Sequence, residues 1–120
     1  MNIEDFRDFC LSLPGTTEDT PFGPDTLVFK VGGKLFALTS LQTFESINLK
    51  CDPEQAVELR ERYDYVRPGF HQNKKHWNTV LIGTGATDPQ LCQWITHSYQ
   101  LVVASLPKAL RAELAAAAEQ

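Results

Sequence analysis

Thr26-Leu27-Val28-Phe29-Lys30-Val31-Gly32-Gly33-Lys34-Leu35-Phe36-Ala37-Leu38 is the stretch whose reading decides the fold. Successive side chains of a strand point to opposite faces. Thr26 to Val31 therefore puts Leu27, Phe29 and Val31 on one face. Gly32-Gly33 then predicts a two-residue hairpin, because a type I′ turn needs positive φ at both positions. Lys34 to Leu41 returns as the partner strand. Beyond it, Glu45 to Cys51 alternates more cleanly, with Ile47, Leu49 and Cys51 facing one way and Ser46, Asn48 and Lys50 the other. Strands joined by tight turns predict an antiparallel sheet with one face buried and one at least partly wet.

Helices flank these strands. Asn2 is placed to cap a first helix, with Asp5 three positions on and Ile3, Phe6, Phe9, Cys10 and Leu13 at helical spacing until Pro14-Gly15 stops it. Leu13 to Pro24 reads as a loop or a short edge strand. Downstream, Asp52-Pro53 with Gln55 starts a helix that runs to about Tyr63, with Ala56, Leu59 and Tyr63 inward. Its Arg60 and Arg62 are balanced by Glu54, Glu58 and Glu61, which reads as a solvated face. His76 to Ile82 is the next strand, with Trp77, Thr79 and Leu81 on one face and Asn78, Val80 and Ile82 on the other. Asp88-Pro89 starts a long helix whose buried stripe is Leu91, Cys92, Ile95, Tyr99, Val102 and Val103. Pro107 restarts a last helix carrying Leu106, Leu110 and Leu114, and the tail from Ala115 to Gln120 is expected to fray. The order predicts an α+β fold of two layers, an antiparallel sheet with helices packed on one face.

At 120 residues the chain makes one domain, spanning residues 1–120. Its formal charge of −4 and pI near 5.3 argue against a general nucleic-acid coat. Cys10, Cys51 and Cys92 lie far apart with no Cys-x-x-Cys pair, which speaks against a disulfide framework or zinc site and for reduced thiols in the cytoplasm. The first residues carry no signal-peptide pattern, and no apolar run approaches the roughly 20 residues that span a bilayer, so no membrane association is expected.

The chemistry concentrates in Val66 to Ile82. From Tyr65 to Thr87 there are three cations, Arg67, Lys74 and Lys75, and no acid, so the remaining residues carry −7. Lysine and arginine reach phosphate oxygens, asparagine and histidine hydrogen-bond phosphates or bases, and tryptophan offers a stacking plane. The plainer reading makes Trp77 a core anchor, Pro68-Gly69 a turn and Lys74-Lys75 a solvated tip. Three cations release at most about three counterions, which means weak binding. His71 and His76 can bind a metal or act as an acid–base pair, but no carboxylate or cysteine in this window completes a ligand set; His97 reads as a surface or packing residue. A second cluster is acidic: Glu4, Asp5, Asp8, Glu18, Asp19 and Asp25. Hard cations take oxygen ligands, although acids near a helix N-terminus are also favourable without any metal. No complete catalytic set occurs, and Gly83-Thr84-Gly85 lacks the ending of a phosphate loop.

With those residues in view, the chain resembles the MmcQ/YjbR family over nearly its whole length. The resemblance rests on residues 21–31, on Gly33-Lys34-Leu35-Phe36-Ala37-Leu38 and on Pro68-Gly69-Phe70-His71-Gln72-Asn73-Lys74-Lys75-His76-Trp77. It continues in Ser98-Tyr99, Leu101-Val102 and Leu106-Pro107-Lys108. Its specific core is Asn-Lys-x-His-Trp; Gln72 stands where methionine is more often expected, which bears on loop packing. The resemblance implies a frataxin/CyaY-like sandwich and DNA binding through a winged surface. By position it implicates His71, Asn73, Lys74, Lys75, His76 and Trp77, to which the charge pattern adds Arg67. The expectation is a non-enzymatic, monomeric DNA-binding protein with no cofactor and no bound metal. Two alternatives stand beside it: a frataxin-like divalent-metal or iron-binding protein using Glu4, Asp5, Asp8, Glu18 and Asp19, and a small-molecule or protein interaction domain using a cleft beside Trp77.

Overall fold

The structure, a computed structural model, describes residues 1–69 and 72–118. Its order is α1 (Ile3–Ser12), β1 (Thr16–Asp19), β2 (Thr26–Val31), β3 (Lys34–Ser40), β4 (Ser46–Lys50), α2 (Pro53–Arg62), β5 (Val66–Pro68), β6 (Trp77–Leu81), α3 (Asp88–Ala104) and α4 (Lys108–Ala118). The strands form one sheet in the order β1-β2-β3-β4-β6-β5, antiparallel throughout. The predicted α+β architecture is therefore what forms, with one addition. The stretch before β2 takes the edge-strand form of its two expected readings, and Val66–Pro68, whose proline reads as a turn, is the added strand, paired with β6. Proline is tolerated there because β5 lies at the sheet edge.

Local sequence explains the joints. Asn2 accepts from the Asp5 amide at 2.8 Å and the Asp5 side chain returns the bond, a capping box. Asp52 caps α2 over Gln55, with Pro53 in the first turn. For α3 the cap is Thr87 rather than Asp88; it closes a box with Gln90. Gly32 and Gly33 have φ of 58° and 80°, as the hairpin between β2 and β3 requires.

One face of the sheet meets the helices. Phe6 and Cys10 of α1 and Leu91, Ile95, Tyr99 and Val102 of α3 pack on Leu27, Phe29, Val31, Ala37, Ile47, Leu49, Val66 and Val80. Trp94 joins this core, a buried position that the expected stripe leaves out, while Cys92 and Val103 are only half-buried and Leu110 is exposed. Ser98 stitches α3 to the sheet, accepting from the Lys50 amide at 2.8 Å and donating to the Phe36 carbonyl. On the opposite face, Asp19, Val28, Leu38, Asn48, Thr79 and Arg67 form one row across all six strands. Val28, Leu38, Asn48 and Thr79 of that row are buried even though the core-forming helices lie on the other side.

Candidate nucleic-acid interface

The cationic stretch folds as a hairpin. β5 and β6 pair in the register Val66↔Val80, Arg67↔Thr79 and Pro68↔Asn78, and the Gly69 amide donates to the Trp77 carbonyl at 3.0 Å. Gly69 and residues 72–76 then belong to an arch thrown out from the sheet edge. Gly69 is required at its foot, because a Cβ there would stand 2.8 Å from Cβ of Trp77.

The arch is held from inside and from beneath. Inside it, Asn73 Oδ1 accepts from the Lys75 amide at 2.9 Å, and the His76 amide donates to the Asn73 carbonyl at 3.1 Å. From beneath, Arg60 of α2 donates through Nε to Asn78 Oδ1 at 2.6 Å, and through Nη2 to the Trp77 carbonyl at 3.3 Å and to the Lys74 carbonyl. Asn78, itself buried, completes the joint by donating to the Ala56 carbonyl at 3.3 Å. Arg60 is the residue of this candidate site that sequence reading misses. Its neighbours Glu58 and Glu61 suggest a solvated salt-bridged face, whereas among the described residues it has no carboxylate partner at all. The only signal that could have found it is its position on the helix just upstream of the cationic stretch.

The predicted residues separate on this frame. Lys74 and Lys75 are exposed and, with Arg60, Pro53, Val57 and Glu54, line one open recess between α2 and the arch. The Lys74 ammonium can reach back to the Gly69 carbonyl at 3.3 Å. Arg67 is exposed on the edge strand, where its Nε donates to the Asp64 carbonyl at 2.7 Å. Asn73 is exposed, with its oxygen committed to the turn. His76 is half-buried, and its carbonyl accepts from the Cys51 amide at 2.8 Å, which ties the arch to the end of β4. Trp77 is half-buried on the helix-free face opposite Lys50, so its ring braces the arch more than it offers a free stacking plane. His71 lies outside the described residues.

The acids do not converge. Glu18 makes a bidentate pair with Arg7 at 2.7 and 2.6 Å, a hydrogen-bonded charge pair that holds its carboxyl below the ordinary range. Asp5 closes the α1 cap, and Asp19 accepts from the Thr20 amide and lies 3.8 Å from Lys30. Among the described residues no group of three or more histidine, cysteine or acidic side chains is arranged to hold a metal. His97 is half-buried in α3, and its Nε2 has no hydrogen-bond partner among the described residues. No helix among them is long and apolar enough to cross a membrane.

Comparison with known proteins gives one consistent result. The YjbR family model matches residues 11–101. The uncharacterised protein YbdF of Escherichia coli is 41% identical over 106 residues, which are 88% of this chain and 87% of YbdF. The uncharacterised protein YjbR of the same species is 32% identical over 112 residues, 92% of this chain and 95% of YjbR. Among solved structures, a Deinococcus radiodurans protein matches with a TM-score of 0.87 at 39% identity, covering 95% of this chain and 88% of that one. A Pseudomonas syringae protein matches with a TM-score of 0.71 at 29% identity, covering 84% of this chain and 98% of that one.

Proposed function

This chain belongs to the YjbR family, and from that premise we propose that it is a non-enzymatic, cytoplasmic DNA-binding protein that works as a monomer through the β5–β6 arch. The observation that carries the reading is the environment of Arg60. Its guanidinium is bound by two carbonyls and one amide oxygen and by no carboxylate among the described residues, so its charge is not neutralised. It stands in one recess with the exposed Lys74 and Lys75. Three cations thus meet on the surface of a protein whose net charge is −4. A polyanion is drawn to this face and repelled from the rest, which orients it before contact.

In this reading Lys74, Lys75 and Nη1 of Arg60, which makes no hydrogen bond among the described residues, take phosphate oxygens, with Arg67 at the flank. Guanidinium and ammonium groups supply position rather than sequence information in such contacts. Asn73 and His76 hold the arch in shape, and Trp77 braces its base. Glu54 lines the same recess and limits the charge there, so binding is weak and salt-sensitive. The scaffold in this reading is a frataxin/CyaY-like sandwich, supported by the antiparallel sheet with its core helices on one face.

The test is a salt-dependent titration with short single- and double-stranded DNA. Four phosphate contacts predict a slope of log K against log salt of roughly −3. Lys74→Ala with Lys75→Ala should weaken binding and flatten that slope by about 1.5 while leaving the fold intact. Equal affinity and slope in the double variant, or no binding by the unmodified protein at low salt, would remove the proposal.

A further inference from the structure

The helix-free face of the sheet carries a recess that phosphate binding at the arch does not use. It has a volume of about 410 Å³ and opens over Leu38 and Asn48, beside Ser40 and Ser46. Phe22, from the connection between β1 and β2, forms one wall, and Gln72, from the arch, forms another. This size lies within the range of about 300–1,000 Å³ for small-ligand clefts. Trp77, expected beside such a cleft, is not among its lining residues.

Three features define the ligand. First, every lining side chain among the described residues is neutral, so none of them gives the cleft a counter-charge for an ion. Second, Phe22 is 67% exposed, a large ring presented to solvent at the mouth of a cleft. Third, Asn48 lines the recess, its Oδ1 accepts from the Thr79 hydroxyl, and its amide nitrogen, which is not among the buried unpartnered atoms, makes no hydrogen bond among the described residues. An amide donor that lines a recess with no protein partner among the described residues is free to meet a ligand acceptor there. The Gln72 amide adds a further donor and acceptor. An aliphatic ligand would leave these groups unpaired. An aromatic plate beside amides that both donate and accept suits a flat heterocycle with a mixed hydrogen-bonding edge.

We propose that this cleft binds one neutral nucleobase, stacked on Phe22 and read at its edge by Asn48 and Gln72. Two sources offer that ring, a free nucleoside or an unstacked base of a single DNA strand. The second rests on the function proposed above: Gln72 stands two residues before Lys74 on the same arch, so one strand reaches both sites. A base within duplex DNA does not fit, because its faces are stacked and its pairing edge is occupied.

The experiment is an NMR titration of the ¹⁵N-labelled protein with the common deoxynucleosides, a short single strand and the matching duplex. At least one nucleoside is expected to shift the Leu38, Ser40 and Asn48 backbone amides and the Asn48 side-chain NH₂ signals. Phe22→Ala removes an exposed ring, so the variant should fold, and it should weaken nucleoside binding roughly tenfold, the loss expected for a stacking ring. Lys74→Ala with Lys75→Ala should leave nucleoside binding unchanged and weaken the single strand. If neither nucleosides nor the strand shift these signals, or if Phe22→Ala binds a nucleoside as tightly as the unmodified protein, the proposal is overturned. A strand that shifts only residues 73–77 overturns it while supporting DNA binding at the arch. Nucleosides that bind in the cleft when no DNA binds support it and remove the DNA-binding reading.

Discussion

Arg60 joins three elements through one planar group. It donates to a buried amide of β6 and to two carbonyls at the foot of the arch, while its backbone belongs to α2. Hydrogen bonds from a charged donor contribute about 1.5–3 kcal/mol, and a buried oxygen left unpaired costs about 1–3 kcal/mol. Arg60→Ala deprives Asn78 Oδ1 of the donor seen here and releases the arch, so it should destabilise the protein by about 2–3 kcal/mol in urea unfolding. Arg60→Lys should recover less than half of that, because an ammonium cannot span the separate acceptors that the fork reaches. A loss below about 0.5 kcal/mol for Arg60→Ala would show that the arch does not depend on this joint. This dependence was not legible in the sequence. A cation set among Glu54, Glu58 and Glu61 on one helix looks solvated, and only the packing of α2 against the hairpin turns it inward. Lys74 and Lys75 were legible, because exposed charge at a loop needs no partner to be read. Trp77 was half legible: its face follows from strand alternation, but its burial depends on the arch that folds beside it.

At the scale of elements, the hairpin between β2 and β3 is also where the connection between α3 and α4 docks. Gly32 and Gly33 both have positive φ, yet they differ in what surrounds them. A Cβ on Gly32 would lie 2.6 Å from Leu106 Cδ2, whereas nothing lies within 4 Å of one on Gly33. Gly33→Ala should therefore cost only the backbone strain, about 1 kcal/mol. Gly32→Ala should cost about 1–3 kcal/mol more, because buried Leu106 must move as well. Thermal unfolding of the two variants checks this, and equal losses would mean that the connection gives way freely. The central strands were readable because alternation, the glycine pair and the helix caps are local signals with physical causes. β5 was not, since three residues ending in proline carry no periodicity and become a strand only by pairing with β6. The recess over Leu38 and Asn48 was equally unreadable, since Phe22 and Gln72 are brought to it from opposite ends of the sheet's connectivity.

For the whole molecule, stability should depend on pH asymmetrically. On the acid side, the Arg7 pair depresses the Glu18 carboxyl. A depressed carboxyl stabilises above its unfolded value of about 4.3 and loses that contribution as pH falls through the folded value. The two side chains are 49% and 32% exposed, so this part is worth less than about 1 kcal/mol and the acid limb it governs should be shallow. On the alkaline side, burial drives the Cys10 thiol far above its ordinary value and pushes that of Cys51 up to about 11, with Asp52 adding to the latter. An unfolded chain ionises both thiols near pH 8.5, while the folded chain keeps them protonated. From about pH 8.5 to 11 the unfolded state therefore holds fewer protons, and stability must fall as pH rises, by about 1.4 kcal/mol per pH unit for each thiol. Burial raises the Tyr99 phenol as well, which extends the decline above about pH 10. Urea unfolding under reducing conditions should give a steep loss between pH 8.5 and 10, and Cys51→Ala should roughly halve its slope. A stability that stays level across that interval would mean that the thiols ionise without unfolding, and that the core they occupy opens to water far more readily than its packing implies.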